Sequence, residues 1–214
     1  MAIDLLIWDW NGTLLDDVSL CNDCLNQLLQ EHGYSQRYDR TAYKEIFDFP
    51  IIDYYRRAGF NFDRHPYSDL AARFIEIYNP RSLACPLCPN AKNTLSFAQN
   101  AGIRQIILSA SEIGTLRSQV QHFGLSSYFE ELVGQGDFYA HGKLEAGRDW
   151  LSRNNPDTAK ALLVGDSLHD AEVAKALGVG CVLCAAGHQS RERLLAAGVP
   201  VIDTLAELPA FLQK

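Results

Sequence analysis

The chain has 214 residues, 47% of them hydrophobic, and a net charge of −7. That apolar share supports one substantial α/β core with an insertion, or two small domains, and excludes a largely disordered chain. The acidic balance argues against a nucleic-acid-binding face, which needs a basic patch, and no segment reads as a signal peptide or a membrane span, so a soluble cytoplasmic protein is expected.

Leu5 to Trp8 is a short apolar run that predicts a buried strand, and Asp9 stands where that strand should end. Asn11, Gly12 and Thr13 follow in a turn. A carboxylate in that place can serve as nucleophile and metal ligand. Glycine lets the backbone pass close to a bound anion, and a nearby hydroxyl can brace it. From Val18 the apolar residues recur at helical spacing through Leu29, until Gly33 ends the run. Residues 41–78 stay helix-like and rich in aromatic side chains, and Pro80, Pro86 and Pro89 predict a linker.

From about Asn90 helix and strand alternate. A helix ends near Gly102, Gln105 to Leu108 reads as a strand closing on Ser109, and a helix runs to about Phe123. A short strand at Leu132-Val133 leads into a loop with His141, Gly142 and Lys143, then a helix over Glu145–Arg153. Ala161 to Val164 reads as a strand closing on Gly165-Asp166, and a helix and two further strands at Cys181–Cys184 and Val201-Ile202 precede a last helix near Leu205–Leu212. The pattern predicts an α/β fold, a Rossmann-like parallel sheet core flanked by helices. The helical stretch interrupts it after the first strand, so it reads as an inserted α-helical cap domain. The expected division is 1–15 and 86–214 for the core and 16–85 for the cap.

Six cysteines form three C-x-x-C pairs, at Cys21/Cys24, Cys85/Cys88 and Cys181/Cys184. Only the Cys85/Cys88 pair has a loop context that suits ligands. The Cys181/Cys184 pair sits on a strand, where positions three apart point to opposite faces. Buried thiols are expected.

Asp9, Ser109 and Asp166 each follow an apolar strand, and the C-terminal strand ends of an open parallel sheet form its ligand crevice. Asp170 lies four residues after Asp166 where a helix begins, as a possible cap or a second acid. Taken with Lys143, these positions make the chain resemble the haloacid dehalogenase superfamily, in the branch similar to phosphoglycolate phosphatases. Asp9-Trp10-Asn11-Gly12-Thr13-Leu14 matches the first family motif, Ser109 the second, Lys143 the third, and Gly165-Asp166-Ser167 with Asp170 the fourth.

The resemblance implies a Mg²⁺-dependent phosphatase for a small phosphorylated metabolite, working through an aspartyl-phosphate. In that reading Asp9 is the nucleophile, and Mg²⁺ is held by Asp9, the main-chain carbonyl of Asn11, and Asp166. Thr13, Ser109, Ala110 and Lys143 hold the phosphoryl group, and Asp170 supports the metal or Lys143. Membrane and nucleic acid are not expected as partners.

One position departs from the family pattern. Phosphatases of this kind usually carry aspartate where this chain has Asn11, and an amide does not trade protons near neutral pH. Acid–base help is typically worth about 10²- to 10⁴-fold in rate. Good leaving groups should still phosphorylate Asp9, and Asn11→Asp is expected to speed turnover. His141, His169 and His188 are candidate replacement proton carriers. A catalytically weak or non-catalytic phosphate-binding protein is the alternative. A phosphonatase would need a cap lysine, for which Lys44 is the sole candidate, and a dehalogenase would leave Asp166 and Asp170 unexplained. The cap's aromatic residues and the Arg56-Arg57 pair hint at a small anionic or ring-bearing substrate.

Overall fold

The computed structural model describes residues 3–137 and 142–213. Strand β1 (Leu5–Trp8) is followed by four helices, α1 (Val18–Glu31), α2 (Arg40–Ile46), α3 (Ile51–Arg57) and α4 (Tyr67–Ser82). Helix α5 (Ala91–Asn100) then opens the alternating part: β2 (Arg104–Glu112), α6 (Ile113–His122), β3 (Glu131–Gln135), α7 (Leu144–Asn154), β4 (Ala161–Gly165), α8 (Leu168–Leu177), β5 (Gly180–Cys184), α9 (Arg191–Leu195), β6 (Val201–Ile202) and α10 (Leu208–Leu212).

All six strands pair in parallel, in the order β3-β2-β1-β4-β5-β6. The first strand is therefore central, and the chain builds outward from it on both sides. The crevice at such a reversal of strand order is where open α/β sheets bind ligands. Strand periodicity divides the core between the two faces. Leu6 and Trp8 join Ile107, Leu162, Val164 and Val182 on one face. Leu5 and Ile7 join Ile106, Leu108, Leu163 and Leu183 on the other. Both faces of β1 are thus covered, as the unbroken apolar run requires.

Helices α1 to α4 bury a third cluster of their own, built on Leu25, Leu28, Tyr43, Tyr54, Tyr55 and Tyr78. No helix among the described residues is long and apolar enough to cross a membrane.

Three boundaries differ from the sequence reading. Helix α4 runs through Pro80 to Ser82, because a proline in the last turn removes only one internal hydrogen bond. Strand β2 does not close on Ser109 but continues to Glu112, with its register against β3 shifting after Leu108. The small residues Ser109 to Ser111 allow that irregular pairing. The last helix is split, with a tight 3₁₀ turn at Leu205–Glu207 before α10.

Candidate active site

Asp9 emerges from the end of β1, and the turn after it is pinned from both sides. Trp10 is fully buried and its Nε1 donates to Gln119 Oε1 at 2.8 Å. The amides of Leu14 and Leu15 both return to the Trp10 carbonyl at 2.9 Å. Thr13 Oγ1 donates to Asp9 Oδ2 at 3.1 Å, and the buried Lys143 ammonium, at the N-terminus of α7, donates to Asp9 Oδ1. Burial raises the Asp9 pKa to about 6 against the pull of Lys143.

Asp166 leaves the end of β4 one strand away. Asp170 sits in the first turn of α8 and does two jobs. Its Oδ2 closes the helix cap, accepting from Ser167 Oγ at 2.6 Å and from the amides of Asp166 and Ser167. Its Oδ1 faces Lys143 Nζ at 2.6 Å. Capping and support for Lys143 therefore coexist in one side chain. Burial works against the Lys143 charge, but Asp170 and Asp9 together hold its pKa above the usual lysine value.

Two glycines make room for Asp166. A Cβ on Gly12, whose φ is +75°, or on Gly187 would overlap the Asp166 carboxylate. The backbone amide of His188 donates to Asp166 Oδ2. Burial raises the Asp166 pKa to about 7, and the neighbouring Asp9 adds to the shift while His188 opposes it. Carboxylate oxygens of Asp9, Asp166 and Asp170 lie within 4.8 Å of one another. Such a buried, oxygen-only cluster of acids fits a hard divalent cation.

Asn11 is held by a network that the sequence did not reveal. Its Nδ2 donates to Asp17 Oδ2 at 2.7 Å and to the Tyr78 hydroxyl at 2.9 Å, and its Oδ1 accepts from Ser111 Oγ at 2.7 Å. Asp17 also accepts from the Tyr78 hydroxyl at 2.7 Å and from the Gly12 amide at 3.0 Å. His188 Nε2 stands 3.2 Å from Asp17 Oδ1, and its Nδ1 is 2.8 Å from the Tyr43 hydroxyl. Burial opposes both charges of this His–Asp pair. The pair nonetheless prevails, lowering the Asp17 pKa and raising that of His188. The one sequence signal for Asp17 is the Asp16-Asp17 doublet just beyond the first motif.

The remaining candidates fall into place around a cavity over these groups. Ser109 and Ala110 line it, whereas Thr13 does not and acts on Asp9 instead. His169 also lines it, stacked on Phe49 with ring centroids 4.6 Å apart. His141 lies outside the described residues. Lys44 is not on the cavity wall, and its Nζ lies 3.5 Å from the Ala186 carbonyl. Arg56 and Arg57 are solvent-exposed and paired with Asp53 and Asp48. All six cysteines are free thiols and all but Cys85 are buried. Cys181 and Cys184 face opposite sides of the sheet.

A sequence profile of the haloacid dehalogenase-like hydrolases matches residues 6–184. A phosphoglycolate phosphatase from Rhodospirillum rubrum is 29% identical, the match covering 97% of this chain and 90% of the relative. Another, from Synechococcus elongatus, is 26% identical over 97% and 94%. Among solved structures, a haloacid dehalogenase-like family hydrolase from Streptococcus pneumoniae superposes with a TM-score of 0.84 at 17% identity, covering 99% of each chain. CbbY from Rhodobacter sphaeroides, solved with phosphate, superposes with a TM-score of 0.72 at 21% identity over 96% of each chain. At these identities the superpositions speak for the fold alone.

Proposed function

The chain belongs to the haloacid dehalogenase-like hydrolase family, and from that premise we propose that it is a Mg²⁺-dependent phosphatase that passes through a phosphoryl-Asp9 intermediate. The observation that carries this reading is the buried Asp9 carboxylate at the central strand end, touching Lys143 and grouped with Asp166. The curated relatives named phosphoglycolate phosphatase support the reaction class.

In the first step an Asp9 oxygen forms a bond to phosphorus while the bond from phosphorus to the ester oxygen breaks. The leaving oxygen departs with the electron pair. Water then attacks the phosphoryl-Asp9, releasing inorganic phosphate and restoring the carboxylate. Lys143 offsets negative charge on the nucleophile and on the phosphoryl oxygens, and Ser109 and the Ala110 backbone border the phosphoryl position. Thr13 fixes the Asp9 rotamer. Asp170 fixes Lys143. Positioning and charge compensation of this kind are what phosphoryl transfer requires of a protein. Asp9, Asp166 and the main-chain carbonyl of Asn11 would hold Mg²⁺, which when bound supplies Lewis-acid neutralisation of phosphoryl charge. The segment of helices α1 to α4 acts as a cap over the site, through Tyr43, Tyr78 and, between α2 and α3, Phe49.

A carbon–phosphorus hydrolase is not favoured, because Lys44 is turned to the Ala186 carbonyl and away from the cavity wall. The phosphatase reading is tested by phosphate release from acetyl phosphate, a small acyl phosphate with a good leaving group, in the presence of Mg²⁺. Asp9→Asn should abolish release, and beryllium fluoride should add to the parent chain at Asp9 alone. Labelling elsewhere, or full activity in Asp9→Asn, would refute the assignment.

A further inference from the structure

We infer that the substrate is an aryl phosphomonoester, a single uncharged aromatic ring joined directly to the ester oxygen; the inference rests on the phosphatase reading. Two independent features of the site converge on it.

The first is the wall of the cavity opposite Asp9. It is built by aromatic and aliphatic side chains of the helical segment, among them Phe47, Phe49, Tyr55, Phe74 and Ile75. Among the described residues that line it, the only lysine or arginine is Lys143, which is already committed to Asp9 and Asp170. Arg56, Arg57 and Arg73, the arginines nearest in sequence to that wall, point to solvent in pairs with Asp53, with Asp48, and with Glu31 and Glu76. A carboxylate on the leaving group, such as the glycolate portion of 2-phosphoglycolate, would meet no uncommitted cation among the described lining residues, since His188 is already paired with Asp17. Burying a lone carboxylate without a partner is strongly unfavourable. An aromatic ring meets the edge and face contacts that stabilise ring pairs. Size agrees, for the cavity measures about 170 Å³, little more than the roughly 150 Å³ apolar cavity that takes one benzene molecule.

The second is the chemistry at Asn11. The amide cannot give the leaving oxygen a proton, and the hydroxyls beside it are spent. Tyr78 donates to Asp17, and Ser111 donates to Asn11 itself. Of the histidines that line the cavity, His188 is held between Asp17 and Tyr43, and burial keeps the His169 pKa below the ordinary imidazole value, so among the described residues the leaving group meets no ready acid and must carry its own negative charge. A phenolate does so readily, with a conjugate acid near pKa ~10, whereas an alkoxide resembles hydroxide, at about 15.7 for water. In the forward step the bond from phosphorus to the aryl oxygen breaks, the electron pair leaves on phenolate, and solvent protonates it afterwards. Apolar ring wall and absent proton donor therefore select the same class of ester.

The test compares three esters, phenyl phosphate, benzyl phosphate and 2-phosphoglycolate, and one acyl phosphate, acetyl phosphate, under saturating Mg²⁺. Phenyl phosphate should exceed 2-phosphoglycolate in kcat/KM, and exceed benzyl phosphate in kcat, each by about 10²-fold or more, the scale of missing acid help. Benzyl phosphate carries the ring on an alkyl oxygen, so it should bind well and inhibit phenyl phosphate competitively while turning over slowly. Preference for 2-phosphoglycolate, equal kcat for the benzyl and phenyl esters, or weak inhibition by benzyl phosphate would overturn the inference. Hydrolysis of acetyl phosphate in any of those cases leaves the phosphatase reading standing. Release of phosphate from none of the four would remove both.

Discussion

The Asn11 amide and the Asp17 carboxylate form a 2.7 Å hydrogen bond in which the amide is the donor. An aspartate at position 11 would set two carboxylates at that separation, inside a site where Asp17 is fully covered and held ionised by His188. Asn11 is therefore matched to Asp17, and the motif departure is one half of a complementary pair.

This relationship reverses the effect expected from the sequence alone. Asn11→Asp should be slower than the parent on phenyl phosphate and less stable by about 1–3 kcal/mol, the cost of spoiling a buried polar contact. The double variant Asn11→Asp with Asp17→Asn restores one amide facing one carboxylate. It should recover part of the stability, since Asp17→Asn also removes the charge paired with His188, and, with an acid at position 11, gain rate on benzyl phosphate by about 10²-fold, the lower end of acid–base help. Melting curves and steady-state rates on both esters check this; a fast single variant would show that Asp17 does not constrain the position.

The metal-binding prediction turns on a residue that supplies no ligand atom. Asp166→Ala should sharply weaken Mg²⁺ binding by removing a carboxylate. Gly187→Ala should weaken it as well, because the added methyl would occupy space now held by Asp166 Oδ2 and push that side chain aside. Calorimetric titration of both variants decides the point. Parent-like affinity in Gly187→Ala would mean that Asp166 can shift without losing the ion.

What the sequence disclosed of this site is what a strand end can disclose. Asp9, Asp166 and Lys143 each follow or precede a short, regular element, and the switch from apolar to polar marks them locally. The Asp17–His188 contact joins residues 171 apart in sequence, and Tyr43 and Tyr78 reach it from two different helices. No periodicity encodes such a meeting. The cap's arginines misled for a related reason. Helix α3 buries Tyr54 and Tyr55, so Arg56 and Arg57 fall to the outside, a choice of face that seven helical residues do not fix by pattern. Gly187 was silent too, since its requirement comes from Asp166, a neighbour in space and not in sequence.

Among the described residues, Lys143 is the cation that bridges Asp9 and Asp170. Lys143→Met should abolish turnover. Removing one partner from a buried ion pair costs about 3–5 kcal/mol, and here it leaves Asp9, Asp166 and Asp170 grouped without compensation. Added Mg²⁺ would then offset more repulsion than it does in the parent. The expected result is a lower metal-free melting temperature and a larger Mg²⁺-induced rise than in the parent. A smaller rise would place the ion's contacts away from this cluster.

The His188–Asp17 pair makes a prediction about pH. Burial favours neutral His188, yet the Asp17 carboxylate outweighs it and sets the folded-state pKa above the ordinary value of about 6.5. A pKa raised on folding contributes stability that is fully present below the unfolded value and is lost as pH climbs through the folded one. His188→Gln keeps the backbone amide that holds Asp166 but has no proton to lose. Metal-free, Asp9 and Asp166 also carry raised values, about 6 and about 7, and they weaken the fold in the same direction in both proteins. The difference between the two curves therefore reports the imidazole together with its hold on Asp166, whose rise His188 opposes. Urea unfolding across neutral to mildly alkaline pH should show the parent's advantage over His188→Gln shrinking as pH rises. A constant gap would mean that His188 is neutral throughout and acts only as a hydrogen-bonding partner of Tyr43 and Asp17.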